Sequence, residues 1–368
     1  MISYFSNELT TTRQISDLRF GIPIILGSNG TYEMIIAIEP LNEETFQKIL
    51  EYNNSSDLKP YLAITKNRAN FLKARVYDGN IARLKLPTPI SFNWIKSTAD
   101  PSEDFEYPLK GPYYSLREGN SNISKVAINF CKKAELLPAA LIVPINSKKL
   151  TELKKSGFIY QKISKNFDTK RSSDNLSLIS SGRVPIPGGL NSKVSVFRDL
   201  NSLIEHYAIE IGSLDLSQPI LTRLHSACFT GDILHSLKCD CGEQLSATIN
   251  KIQIEKSGVI IYLNQEGRGI GLANKMRAYK LQDSGLDTFE ANQRLGFNDD
   301  ERDLSIGSRI LKKLGINQIK LLTNNPSKIT AFEDSGIKVV KRLPILSKET
   351  KENKLYIKTK KDKSGHFF

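Results

Sequence analysis

The stretch VIIYLNQEGRGIGLANKMRAYKLQD, residues 259–283, decides the fold. It opens on an apolar run of strand length (259–264), passes through a loop punctuated by Gly267, Gly269 and Gly271, and continues in a helical pattern over about 270–284. A strand that hands over to a helix in this way is an α/β signature, and in such sheets the chemistry sits on loops that follow strands. Further helical patterns lie at about 241–256, 301–314 and 326–335, with apolar runs IKLLT (319–323) and VVKRL (339–343) between and after them. Strand-like RVPIPGGLNSKVSVF (183–197) and YAIEIG (207–212) open this half.

The first half repeats the alternation. IPIIL (22–26), MIIAI (34–38), YLAIT (61–65) and AALIVPI (139–145) read as strands, and 41–52 and 121–137 as helices. Between the halves, about 164–182 is polar and without period, which predicts a linker. With 368 residues the chain is long enough for two cores. The expected architecture is α/β, mixed α+β, with two domains that are each a sheet flanked by helices: 1–163, a linker at 164–180, and 181–368.

Hydrophobic residues at 39% and charged ones at 25% describe an ordinary globular protein, and this excludes a disordered chain. No apolar run is long enough to span a membrane, and MISYFSNELTTTRQ lacks the pattern of a secretion signal, so a cytoplasmic protein is expected. The net charge of +13 fits an anionic partner: nucleic acid, an acidic membrane surface or a polyphosphate. Much of it falls in a lysine-rich end from Lys338 through Lys363, which reads as a solvated basic tail.

Cys131 stands alone, whereas Cys228, Cys239 and Cys241 fall close together, in a pattern that argues for metal over disulfides. Three thiolates can converge on one ion, and soft sulfur favours zinc. Two readings stay open at this point. With three ligands a fourth position remains for water and chemistry; with His225 or His235 as the fourth ligand the site is closed and structural. Glu266 and Arg268 lie on the glycine loop, DDERD (299–303) places Asp300 and Arg302 at a helix start, and TNNPSK (323–328) opens another helix, a phosphate-attracting position. Each of these alone reads first as a structural, capping sequence.

Taken together, RLHSACFTGDILHSLKCDCGEQL (223–245), NQEGRGIGLANKMRAYKLQD (264–283), DTFEANQRLGFNDDERDL (287–304) and LLTNNPSK (321–328) closely resemble GTP cyclohydrolase II. The resemblance runs over roughly 181–368. It implies Cys228, Cys239 and Cys241 as ligands of one Zn²⁺ per chain, with water completing the site. It implies GTP held by Arg223, Leu224, His225, Ser226 and Ala227, by Gln244, by Glu266, Gly267 and Arg268, and by Thr288, Thr323 and Lys328. Asp300 corresponds to the family's general base, Arg302 to its proposed nucleophile, and Tyr279 is a candidate to position water or the formyl group. A guanidinium keeps its proton, which makes Arg302 physically easier as a transition-state clamp. One departure stands at Ala227, where many relatives carry Glu.

The reaction so implied is hydrolysis of GTP to formate, pyrophosphate and a diaminopyrimidine phosphate, the first step of riboflavin biosynthesis, with Mg²⁺ on the triphosphate and a homodimeric enzyme. Residues 1–163 more weakly resemble 3,4-dihydroxy-2-butanone 4-phosphate synthase, through ISDLRFGIPIIL (15–26) and ISKVAINFCKKAELLPAALIVPI (123–145). In place of that family's acidic metal loop stands GSNGTYE (27–33), with Glu33 its one carboxylate, and Ile123, Lys125 and Pro144 replace its other metal-site residues. No synthase activity is expected there, only a scaffold or dimerisation role, with Cys131 a small core residue. The competing class, a zinc-stabilised nucleic-acid-binding or regulatory protein, lacks the interleaved aromatic and basic pattern of nucleic-acid surfaces.

Overall fold

The computed structural model describes residues 6–53, 59–104, 106–164, 167, 176–187, 191–199 and 204–345. Cα packing divides the chain into two compact units: Met1–Arg171 with Ala273–Glu301, and Ser172–Leu272 with Arg302–Phe368. Segment 273–301, which belongs by sequence to the second half, thus packs in the first unit. The basic tail beyond residue 345 lies outside the described residues.

The first unit is built on β1 (Ile24–Ser28), β2 (Thr31–Ala37), β3 (Tyr61–Thr65), β4 (Ile81–Lys85), β5 (Ala139–Ile145) and β6 (Tyr160–Lys162), in the order β4-β3-β5-β2-β1-β6. Only β1 and β6 pair in parallel. Period-two alternation sends Ile25, Met34, Ile36, Leu141 and Val143 to one face, where Phe46, Ile49 and Ile95 of helices Glu43–Asn53 and Phe92–Ala99 cover them. Ile24, Leu26, Ile35, Ala140 and Ile142 face the other way, onto Leu18, Val126, Ala127 and Phe130 of helices Asn7–Arg19 and Asn122–Lys133. A sheet covered on both faces explains why its strands read as near-continuous apolar runs. Cys131 lies in this second layer, fully buried, and burial pushes its thiol up to about 12, which keeps it inert.

The second unit holds β7 (Leu176–Arg183), β8 (Ser192–Asp199), β9 (Glu205–Gly212), β10 (Ile220–Ser226), β11 (Ser257–Leu263), β12 (Gln318–Leu322) and β13 (Lys338–Leu343), in the order β13-β12-β10-β11-β9-β8-β7. The run β13-β12-β10-β11 is parallel, and β9, β8 and β7 continue it antiparallel. Parallel pairing puts the C-terminal ends of β10, β11 and β12 side by side, so the loops after them emerge at one edge. Both sheets are flanked by helices, as the alternation implied.

Two local expectations are corrected. Residues 176–180 of the expected linker are the start of β7; its register slips between Leu178 and Ser180 and its outer residues are exposed, so the strand shows no alternation. Asp300 and Arg302 do not sit in a helical turn, because the helix runs Ser305–Lys313 and Asp303 accepts from Ser305 N–H at 3.1 Å just ahead of it.

On β2, Glu33 accepts from Tyr61 Oη at 3.0 Å and stands opposite Pro144 of β5. Burial pushes its carboxyl up to about 7, against the hydrogen bond from Tyr61 and the charge of Arg83. An acid with a raised folded pKa binds an extra proton on folding, so its stabilisation is full below the unfolded value and is lost as pH rises through about 7. Glu33→Gln should remove a fall in stability of about 1–3 kcal/mol between roughly pH 4.5 and 7.5, seen as a flatter Tm-against-pH curve. An unchanged curve would mean that Glu33 is not the titrating group.

Candidate metal and nucleotide site

β10 ends at Ser226, and two residues later the chain enters a wide helical turn, Phe229–Ile233, that begins at Cys228. Cys239 lies on the turn that follows, and Cys241 opens helix Cys241–Glu255. The three Sγ atoms lie within 4.8 Å of one another, and they form the one cluster of three metal-ligating side chains among the described residues. Cys228 and Cys239 approach to 3.8 Å.

This close approach depends on two glycines. A Cβ on Gly231 would stand 2.9 Å from Cys239 Sγ and 3.1 Å from Cys228 Sγ, inside the space of the ion and its ligands. A Cβ on Gly242 would meet the Gly231 carbonyl oxygen at 2.1 Å. The donor set fits zinc, since soft thiolates at one point suit it. Among the buried charged side chains nearby, Arg223 faces Cys241 and Asp240.

Neither histidine joins the cluster. His225 Nε2 lies 3.0 Å from Asp232 Oδ1, its ring stacks on Tyr262, and burial lowers its pKa against the opposing Asp232 hydrogen bond, so the ring is neutral. His235 is exposed. Asp232 is the hub here: besides His225 it accepts from Cys228 N–H at 3.1 Å and Tyr262 Oη at 2.8 Å. Its carboxylate therefore fixes the loop that carries the first thiolate.

Arg223 points inward from β10 and donates to the Leu322 carbonyl (3.0 Å) and to Gln244 Oε1 (2.6 Å). Gln244 in turn donates to Asp240, the residue between the paired cysteines, at 2.6 Å. Burial brings the guanidinium down to about 10, still charged at neutral pH. Lys328, on the first turn of helix Pro326–Glu333, donates to the Leu224 carbonyl at 2.8 Å, and Thr323 Oγ1 accepts from Asn325 N–H at 3.0 Å. Arg302 reaches Ser226 Oγ at 3.0 Å. Leu224 turns its side chain into the core, and Ala227 N–H is bound to the Leu263 carbonyl.

After β11, Glu266 receives two backbone donors, Phe229 N–H on Oε2 and Gly267 N–H on Oε1. Gly267 and Arg268 both adopt left-handed backbone near φ +60°, and Gly269 and Gly271 also have positive φ. Arg268 is the strained member, because only glycine takes that conformation without cost.

Of the residues expected in the site, Arg223, Leu224, His225, Ser226, Ala227, Gln244, Glu266, Gly267, Arg268, Arg302, Thr323, Lys328 and the three cysteines lie in the second unit. Tyr279, Thr288 and Asp300 lie in segment 273–301 of the first. Sequence reasoning missed Gly231, Asp232, Asp240, Gly242 and Tyr262. The glycine beside an aspartate in FTGD was a visible signal; the tyrosine on a buried strand was not.

Three thiols able to hold a metal ion thus lie at the C-terminal edge of parallel strands, in the same unit as buried Arg223 and Lys328. The model of the family GTP cyclohydrolase II matches residues 179–344. GTP cyclohydrolase-2 of Azospirillum brasilense is 33% identical over 361 residues, 97% of this chain and 93% of that one. GTP cyclohydrolase-2 of Saccharophagus degradans is 50% identical over 190 residues, 52% of this chain and 94% of that one. The riboflavin biosynthesis protein RibBA of Endomicrobium trichonymphae is 40% identical over 282 residues, 72% of this chain and 69% of the relative. The chain belongs to the GTP cyclohydrolase II family, hydrolases of riboflavin biosynthesis.

Gly231→Ala should cut zinc content to well below one per chain with little loss of secondary structure, measured by elemental analysis and circular dichroism. Asp232→Asn keeps the shape but weakens the hold on Cys228 N–H, and zinc affinity in chelator competition should fall about 10- to 100-fold. Unchanged affinity in both variants would contradict the hub.

Proposed function

We propose that this chain hydrolyses GTP to 2,5-diamino-6-(5-phospho-ribosylamino)pyrimidin-4(3H)-one, formate and pyrophosphate. The observation that carries the reading is the Cys228, Cys239, Cys241 cluster set among Arg223, Arg302 and Lys328. Zinc, when bound there, supplies the Lewis acidity that makes water nucleophilic toward guanine C8 at neutral pH. Opening of the imidazole ring is followed by a second hydrolysis that expels C8 as formate.

The protein groups bind and orient. Glu266, whose carboxylate accepts from Phe229 and Gly267 N–H, is the acceptor in this reading for the N1–H and N2–H₂ edge of guanine, which adenine lacks. Arg302 and Lys328 hold phosphate oxygens while water displaces pyrophosphate from the α-phosphorus, with Mg²⁺ carried on the triphosphate. Arg302 acts as an electrostatic clamp, since its guanidinium keeps its proton. Asp300 serves as general base, and Tyr279 positions water or the formyl group. Thr288 and Thr323 contribute hydroxyls to the substrate. The first unit carries no synthase activity: Glu33 lies beside Pro144, and Ile123 is buried in the core, so hard-cation ligands are lacking at these positions. The enzyme is a cytoplasmic homodimer in this reading; among the described residues no helix is long and apolar enough to cross a membrane.

Incubation of the zinc-loaded protein with GTP and Mg²⁺ should release formate and pyrophosphate together. Cys239→Ser should abolish formate, and Arg302→Ala should lower turnover by about 10²–10³. Near-normal turnover of Arg302→Ala would remove the clamp, and absence of both products from the parent protein would favour a zinc-stabilised binding protein.

A further inference from the structure

Tyr279, Thr288 and Asp300 lie on segment 273–301, and the first unit grips that segment at four places along its length. Near its start, Arg277 pairs with Glu39 and with Asp100, each at 3.2 Å, while buried Asn274 donates to the Glu135 carbonyl at 2.9 Å. Arg294 then pairs with Asp104 at 3.0 Å and lies over the Phe71 ring. Asp104 is itself tied to Arg68 and Lys110, which overcome burial and hold its carboxyl down to about 2. Farther on, Asn67 donates to the Phe297 carbonyl at 2.8 Å, and Gly296 fits so closely that a Cβ would meet Thr65 Oγ1 at 2.6 Å. At the end, Lys132 pairs with Glu301, the residue after Asp300, and covers the Phe297 ring.

We propose that the first unit is a positioning element for the cyclohydrolase reaction, in which Glu39, Asn67, Asp100, Asp104 and Lys132 fix the segment that presents Tyr279, Thr288 and Asp300. The inference rests on the GTP cyclohydrolase reading of these three residues. Its physical basis is that a chain segment anchored at several points samples fewer orientations, and small misplacement of reacting groups costs rate steeply. It also gives residues 1–163 a role in that reaction without synthase chemistry. The acidic and basic partners are mostly half-buried or buried and interlinked, unlike isolated exposed pairs that contribute little.

The test uses the full zinc-loaded chain with Lys132→Glu, Glu301→Lys and the double reversal. Each single variant should lower kcat for formate release about tenfold with little change in KM or zinc content, and the double should recover most of it. Hydrogen exchange in 273–301 should quicken in the singles and slow again in the double. Arg277→Gln, a milder change, should also lower kcat without unfolding. Singles with the parent's kcat and exchange, or a double no better than its singles, would overturn the proposal. Should the parent itself release no formate, the cyclohydrolase reading fails instead, and the exchange measurement still decides whether the segment is held.

Discussion

Three cysteine sulfurs within 4.8 Å of one another are an arrangement that has to be compensated. As thiolates they repel, and inside a partly buried turn little water screens them, so a divalent cation is the natural counterweight. The neighbouring features follow from this requirement. Gly231 and Gly242 let two turns close on the same point, and Asp232 holds the backbone of the first cysteine. Through Gln244, Asp240 links the cysteine pair to Arg223 on the central strand. The parallel pairing of β10 with β11 and β12 brings these loops to one edge of the sheet.

The first unit shows a different balance. Its sheet is covered by apolar helices on both faces, and Glu33 remains as a carboxyl that accepts from Tyr61 Oη, whose oxygen lies in turn 3.0 Å from Ser124 Oγ. Burial makes the group more stable protonated, as its raised pKa reflects. Charge here is concentrated instead around Arg68, Asp104 and Lys110, where it meets Arg294 of the 273–301 segment.

Much of this was legible in the chain. AALIVPI and YLAIT became strands at their quoted limits and the other apolar runs within a few residues of theirs, because a doubly covered sheet writes a continuous apolar signal. The cysteine spacing located the cluster of three thiols, since the three residues lie close together in the chain. What stayed hidden depends on tertiary contact. Asp232 reads as one more loop aspartate until three donors converge on it, and Tyr262 as a strand residue until its hydroxyl meets that carboxylate. β7 lacked alternation because its outer residues are exposed and its register slips. Nothing local in 273–301 announces that it packs with the N-terminal sheet; its partners, Glu39, Asp100, Asp104 and Lys132, are far away in sequence.

In the proposed reading Cys228, Cys239 and Cys241 hold one zinc ion that keeps a position open for chemistry. X-ray absorption at the zinc edge of the purified protein measures this directly. The account predicts three sulfur scatterers at about 2.3 Å and one oxygen near 2.0 Å. A fourth ligand from sulfur or a histidine ring would describe a closed, structural site and contradict it.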